Sequence, residues 1–293
     1  MRQSLALSYE RVSADLLEHF DGIGLVRGEY VFRAAGRYPT DESVTEYLEP
    51  YLAELAAQAP GTIWYRTMEA DTAECNVLDG VEEIIVESQR LVGLRGIRRS
   101  RRFPDAFVAE LAGIARARRA GAEIGVIFPF VTYVDELAWA IEQTRQVVGD
   151  CPVATMIEVP SLLVELDRVL ATGVSRVVIG CNDLSSLLLA QTRAELRPVR
   201  PTPPLVRAIE QIATAARAAG VTTAVAGYLH ADLVAACAQA GVDECVLHYS
   251  DLPELFGERW AGLPDLGVLQ AIKAKTRADI AAAAQLAAGR RIR

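Results

Sequence analysis

The chain has 293 residues, 51% of them apolar, enough for a large buried core and for one α/β barrel of about 250 residues. Its net charge of −8 argues against nucleic acid or an anionic membrane as partner, and no apolar run reaches the ~18 residues that span a bilayer. Met1–Ser8 lacks the length and small-residue cleavage site of a signal peptide, so a cytoplasmic location is expected. The five cysteines (Cys75, Cys151, Cys181, Cys237, Cys245) are odd in number and never spaced CxxC, which argues against a disulfide framework or a zinc site. Of 30 basic residues only Lys273 and Lys275 are lysines, and neither follows a predicted strand, so a Schiff-base mechanism has no obvious nucleophile.

In chain order, Ser4–Ser8 reads as a first strand, followed by an amphipathic helix over Glu10–Phe20. Gly22–Val26 is a second strand and ends at Arg27. Asp41–Gln58 is predicted helical, with Asp41 as N-cap. Thr62–Tyr65 is a third strand ending at Arg66, followed by an irregular passage carrying Arg95-Gly-Ile-Arg98 and a helix over Pro104–Ala120. Ile124–Phe128 and the helix Val134–Val148 come next. Val153–Ile157, the helical Ser161–Leu170 and Arg176–Ile179 form a strand–helix–strand unit. Pro204–Ala219 leads to the strand Thr222–Val225; Asp232–Ala240 leads to Glu244–Leu247, which ends at His248. Val268–Ala288 is an Ala-rich helix.

Eight strands alternating with helices, without a Gly/Ser-rich linker, predict a single (β/α)₈ TIM barrel over residues 1–293. A doubly wound open sheet is the alternative, but its Gly-rich first turn is absent. In a parallel barrel the strand ends share one mouth, so Arg27, Arg66, Glu158, Asn182, Asp183, Tyr228 and His248 should converge there. Two carboxylates at adjacent strand ends suit Mg²⁺ shared with a substrate, and arginines offer planar donors to phosphate or carboxylate. Taken singly, each acid could equally be a helix cap and each arginine a surface residue; their clustering carries the reading.

The segments Asp21-Gly-Ile-Gly-Leu-Val-Arg-Gly-Glu29, Arg66-Thr67, Gly93-Leu-Arg-Gly-Ile-Arg98, Ile127-Phe-Pro-Phe-Val131, Met156-Ile-Glu-Val-Pro160, Ile179-Gly-Cys-Asn-Asp-Leu184, Arg193 and Gly241–Leu247 follow one another in a familiar order. Through them the chain resembles the C-terminal phosphoenolpyruvate-binding barrel of phosphoenolpyruvate synthase, pyruvate phosphate dikinase and enzyme I of the sugar phosphotransferase system. Thr72-Ala-Glu-Cys75 echoes the synthase in particular. The resemblance implies Mg²⁺ on Glu158 and Asp183, and phosphate held by Arg27, Arg66, Asn182 and Arg193, with Arg95 at the phosphate or carboxylate end. It implies a homodimer, and phosphoryl transfer to a histidine on a swivelling domain, for which this sequence has no room beside the barrel.

Two departures stand out. The family's proton-donating cysteine is Ala226, followed by Gly227 and Tyr228, which leaves Tyr228, His248 or His230 as candidate acids; the family's lysine after the third strand is Asp71. The sequence therefore predicts a stand-alone Mg²⁺-dependent enzyme acting on phosphoenolpyruvate or a 2-oxo acid through an enolate. Its chemistry would be that of a transferase working with a separate histidine-bearing phosphocarrier, or of a C–C lyase or aldolase. The alternative is a catalytically impaired regulatory protein that binds phosphoenolpyruvate or pyruvate.

Overall fold

The structure, a computed structural model, describes residues 1–59, 61–248, 251, 252, 255 and 267–290. Eight parallel strands close on themselves in sequence order: β1 (Arg2–Leu7), β2 (Ile23–Arg27), β3 (Ile63–Arg66), β4 (Ile124–Phe128), β5 (Val153–Ile157), β6 (Arg176–Gly180), β7 (Thr222–Ala226) and β8 (Glu244–His248). The β1–β8 pairing runs from Arg2↔Glu244 to Ala6↔His248 and removes both sheet edges, so the fold is the expected TIM barrel and not an open sheet.

Period-2 alternation builds two cores from these strands. One set of residues, among them Leu5, Val126, Phe128, Val177 and Val225, packs against the surrounding helices. The other set fills the lumen with smaller side chains: Ala6, Leu25, Ile127, Ala154, Met156, Val178, Ala224, Ala226 and Val246. Two residues beyond Leu25, Met156, Val178 and Val246, the same inward face presents Arg27, Glu158, Gly180 and His248. The chemistry at the mouth is thus the continuation of the lumen's own alternation.

The floor of the barrel is ionic. Arg176 on β6 donates to Glu244 on β8 at 2.9 Å, stacks over Trp64 at 4.8 Å and is joined by Arg2, 3.0 Å from the same carboxylate.

Three local expectations are corrected. The helix over Glu10–Phe20 shrinks to Ala14–Leu17, capped by Ser13, because Tyr9 adopts φ +74° and the Glu10 side chain turns into the mouth. The helical stretch from Asp41 is capped by Thr40 instead: Thr40 and Ser43 exchange backbone and side-chain hydrogen bonds in a capping box. The predicted helix Ser161–Leu170 is two short helices, Pro160–Val164 and Leu166–Leu170, broken at Glu165. The irregular passage after β3 contains helices at Thr72–Cys75 and Gly96–Arg102. A further helix, Gly28–Ala35, follows β2 directly, and the tail helix Gly267–Arg290 docks on it through Leu269, Ile272 and Tyr30. Among the described residues no helix is long and apolar enough to cross a membrane.

Candidate functional site

At the mouth, the predicted residues divide into two groups. The larger is organised by an acid that sequence reasoning did not single out, Glu69. It follows β3 by three residues, is buried, accepts from Nε of Arg95 at 2.7 Å, and pairs with Nη2 of Arg66 at 3.4 Å. Burial alone would raise its carboxyl, but Arg95, Arg66 and Arg193 outweigh that and hold it down at about 2. Arg66 is also hydrogen-bonded to Glu29, at the start of the Gly28–Ala35 helix, and Arg95 donates further to the carbonyls of Arg90 and Leu91 at 3.2 and 3.1 Å. Glu69 thereby fixes two guanidinium groups side by side. An acid three residues past a strand-end arginine was the available signal, but only the fold shows that Arg95 returns to it.

Glu158 follows β5 and is buried against the same group. Its Oε1 accepts from the Phe130 amide at 2.7 Å. Burial first, then the carboxylates of Asp183 and Glu69, push its own carboxyl up to about 8 against the opposing pull of Arg66. Gly180 makes room for it: a Cβ there would lie 2.6 Å from Glu158 Oε2 and 2.8 Å from Glu158 Cβ. Asp183, in the first turn of the helix Cys181–Leu189, is held by a bidentate pair with Arg193. Its neighbour Asn182 accepts from the Tyr228 amide at 3.1 Å, and the Tyr228 ring lies under Arg197 at 4.5 Å. Arg66, Arg95, Arg193, Glu158 and Asp183 therefore share one electrostatic cluster, with Asn182 and Tyr228 at its β6–β7 edge.

Arg27 and His248 belong to a second group, on the β1–β2–β8 side. His248 sits 3.2 Å from Glu10 and 3.5 Å from Ser8 Oγ. Burial drives its imidazole down to about 4, against the opposing effect of Glu10 and with help from Arg27, so it is neutral at physiological pH. Arg27 stacks over Tyr30 at 5.1 Å. Lys273, set aside in the sequence because it follows no strand, comes back to this side on the tail helix. Burial, then the charges of Arg27, Arg197 and Arg33, lower its amine to about 8. Neither lysine follows a strand, as expected, but the docked tail helix brings Lys273 under the influence of these charges.

The cysteines do not fill the place of the missing thiol. Cys181 is fully buried and its thiol is pushed well up by burial and by the neighbouring Cys237 and Cys245. Asp71, at the family's lysine position, caps the Thr72–Cys75 helix and pairs with Arg90 at 2.6 Å.

The chemistry of the donors fits Mg²⁺ of one kind only. No cluster of three or more His, Cys, Asp or Glu among the described residues could cage a metal alone. Glu158 and Asp183 are two buried hard oxygen donors, Asp183 acting to raise the Glu158 carboxyl, and a divalent cation completing its shell with substrate and water would relieve that repulsion. At the mouth, Nε of Arg66 and the Thr67 hydroxyl, and Nε of Arg27 in the second group, are buried without a hydrogen-bond partner among the described residues. Orphaned buried donors of this kind are what an entering anion would satisfy.

Comparison with known proteins places the chain in a family. Residues 7–255 match the family described as PEP-utilising enzyme, PEP-binding domain. A probable phosphoenolpyruvate synthase of Pyrococcus horikoshii is 30% identical over 72% of this chain and 28% of its own length. A multiphosphoryl transfer protein of Xanthomonas campestris pv. campestris is 29% identical over 93% of this chain and 33% of its own length. The chain thus spans about a third or less of these relatives. Among solved structures, an HpcH/HpaI aldolase/citrate lyase family protein from Burkholderia cenocepacia J2315 superimposes with a TM-score of 0.50 at 17% identity, covering 84% of this chain and 87% of that one, a likeness of fold. With its family profile matched over most of its length, the chain belongs to the family of PEP-binding domains of PEP-utilising enzymes.

Proposed function

We propose that this chain is a Mg²⁺-dependent enzyme that binds phosphoenolpyruvate, or a related 2-oxo acid, at the barrel mouth and works through its enolate. One observation carries the reading: the buried carboxylates Glu158 and Asp183 lie together within a ring of arginines whose donors are partly unpartnered. Phosphoenolpyruvate offers a phosphate and a carboxylate to that ring. Arg66 and Arg95, oriented by Glu69, pair with the anionic groups, and Arg27 and Asn182 complete the phosphate contacts. Arg193 exchanges Asp183 for the substrate phosphate as it enters, which frees the Asp183 oxygens. Mg²⁺ on Glu158 and Asp183 would supply Lewis-acid stabilisation of the enolate oxygen. Gly227 brings Tyr228 next to Asn182, where its hydroxyl is the candidate proton donor; the neutral His248, paired with Glu10, serves the substrate's far end.

The names of the relatives, a phosphoenolpyruvate synthase and a multiphosphoryl transfer protein, support phosphoenolpyruvate as the substrate and phosphoryl transfer as the reaction, for which a separate histidine-bearing phosphocarrier is the proposed partner. In this reading the protein is cytoplasmic and a homodimer. Carbon–carbon cleavage or aldol addition by the same enolate is the other chemistry the site admits. A regulatory phosphoenolpyruvate or pyruvate binder is favoured by one specific feature, Ala226 at the position of the family's acid, with Cys181 buried and its thiol pushed up.

The test is product formation. Incubated with phosphoenolpyruvate and Mg²⁺, with and without a histidine phosphocarrier, the protein is expected to release pyruvate or transfer phosphate. Glu158→Gln is expected to abolish turnover and Tyr228→Phe to reduce kcat more than it raises KM. Tight binding without product in every arm would identify the regulator. Failure to bind phosphoenolpyruvate at all would overturn both.

A further inference from the structure

The tail helix carries a cation to the mouth that the reaction proposed above does not use. Ile272 packs with Tyr30, and Arg27 stacks over the same ring at 5.1 Å, so Lys273, the next residue, comes into the neighbourhood of Arg27. Lys273 also acts on His248 at the end of β8, and is itself acted on by Arg27, Arg197 and Arg33. Arg197 reaches this side from the loop before the Pro203–Ala218 helix, its guanidinium over the Tyr228 ring at 4.5 Å. In the closed barrel, β1 and β2 lie across from β5 and β6, the strands that lead to Glu158 and Asp183.

Charge of one sign gathers here without partners. Arg33 is paired with Glu74 at 3.1 Å, but Arg27, Arg197 and Lys273 form no ion pair among the described residues. The acid at the mouth on this side, Glu10, is engaged by His248 at 3.2 Å. Burial first, then Arg27, Arg197 and Arg33, hold the Lys273 amine at about 8; the buried Asp251 pulls the other way and is outweighed. Arg197 is exposed, and Arg27 and Lys273 are half-buried, so all three reach solvent. Cations gathered against their mutual repulsion are relieved by an arriving anion. One phosphoenolpyruvate does not need them all, because Mg²⁺, Arg66, Arg95 and Arg193 already meet its phosphate and carboxylate.

We propose that Lys273 and Arg197, together with Arg27, form a second anion subsite, and that the small reactant meeting the enolate docks there through a phosphate or carboxylate of its own. Arg27, shared by the two subsites, keeps the reactants adjacent. The role given to the second anion rests on the proposed reading of the mouth; the gathering of the three cations does not.

Lys273 and Lys275 are the lysines of the chain, so lysine-selective isotope labelling gives two side-chain resonances, which Lys275→Arg assigns. The probes are inorganic phosphate and acetate, added to the full chain with Mg²⁺ and oxalate present. Phosphate or acetate is expected to shift the Lys273 resonance saturably and to raise the midpoint of its titration by about one pH unit, leaving Lys275 unmoved. The tighter of the two anions names the group on the reactant. Arg197→Gln, at an exposed position, should weaken the response about tenfold. Glu158→Gln, which disables the cation site, should leave it in place, so failure of the mouth reading is seen separately. No saturable change at Lys273 with either anion, an equal change at Lys275, or an undiminished response in Arg197→Gln would each overturn the subsite.

Discussion

Glu110 and Glu158 are buried acids whose carboxyls are both pushed up to about 8, yet their surroundings assign them different work. Glu158 is raised partly by other carboxylates, which marks a place for a cation. Glu110 is raised first by burial, and it accepts from the Tyr65 hydroxyl at 2.5 Å and the Met68 amide at 3.0 Å, so it fastens the segment after β3. Its folded-state value lies above the unfolded one, about 4.5. The stability it contributes is complete below about 4.5 and is lost as pH rises through about 8. Glu110→Gln keeps the acceptor and removes the titration. Relative to wild type it should gain on the order of 2 kcal/mol between pH 6 and pH 9 in urea melts; parallel pH profiles would contradict this. Gly180→Ala tests the space beside Glu158. The added methyl would displace the acid, lowering kcat/KM by roughly tenfold to a hundredfold at a stability cost of about 1–3 kcal/mol. Glu158, Asp183 and Arg66 were legible because strand ends in a parallel barrel share one mouth, whereas Arg95 was legible only through the family resemblance. Glu69 and Glu10 were not: a sequence shows their charge but not the distant guanidinium or imidazole that each engages.

Among the elements, strands were the most legible and short helices the least. Apolar runs of strand length located all eight strands to within two residues, since such runs bounded by turns carry their own signal. The helices Gly28–Ala35 and Gly96–Arg102 start at strand-end or site residues, and their function-bearing first turns disguise the helical pattern. The tail helix was visible as a helix but its docking was not, because an Ala-rich stretch gives little indication of which face is buried. Leu269 and Ile272 settle that face against Tyr30, with Arg33 Nε bonded to Thr276 Oγ1 at 3.2 Å. Replacing Leu269 and Ile272 together by Ala should release the helix at a cost of roughly 2–5 kcal/mol. Limited proteolysis would then cut within residues 267–290 while the barrel persists. Unchanged protease resistance would show that the helix is held by other contacts.

At the scale of the molecule, the barrel separates its two ends by chemistry. The mouth gathers arginines among buried acids, and it is their unpartnered donors, not a net positive charge, that would favour an entering anion. The floor is closed by the Arg176–Glu244 pair, which links β6 to β8 beneath the apolar lumen. Arg176→Met leaves Glu244 with only the exposed Arg2 and should cost about 3 kcal/mol, whereas Arg176→Met with Glu244→Leu should recover most of it. Equal losses in the single and double variants, measured by urea denaturation, would mean the pair is not what closes the floor. The account as a whole rests on a cation and an anion meeting at Glu158 and Asp183. Titration calorimetry with oxalate, a mimic of the enolate, measures that meeting directly. Oxalate should bind tightly only when Mg²⁺ is present, and Glu158→Gln should abolish the Mg²⁺ dependence together with the tight binding. Equal oxalate affinity with and without Mg²⁺, or an unchanged Mg²⁺ effect in Glu158→Gln, would contradict the account.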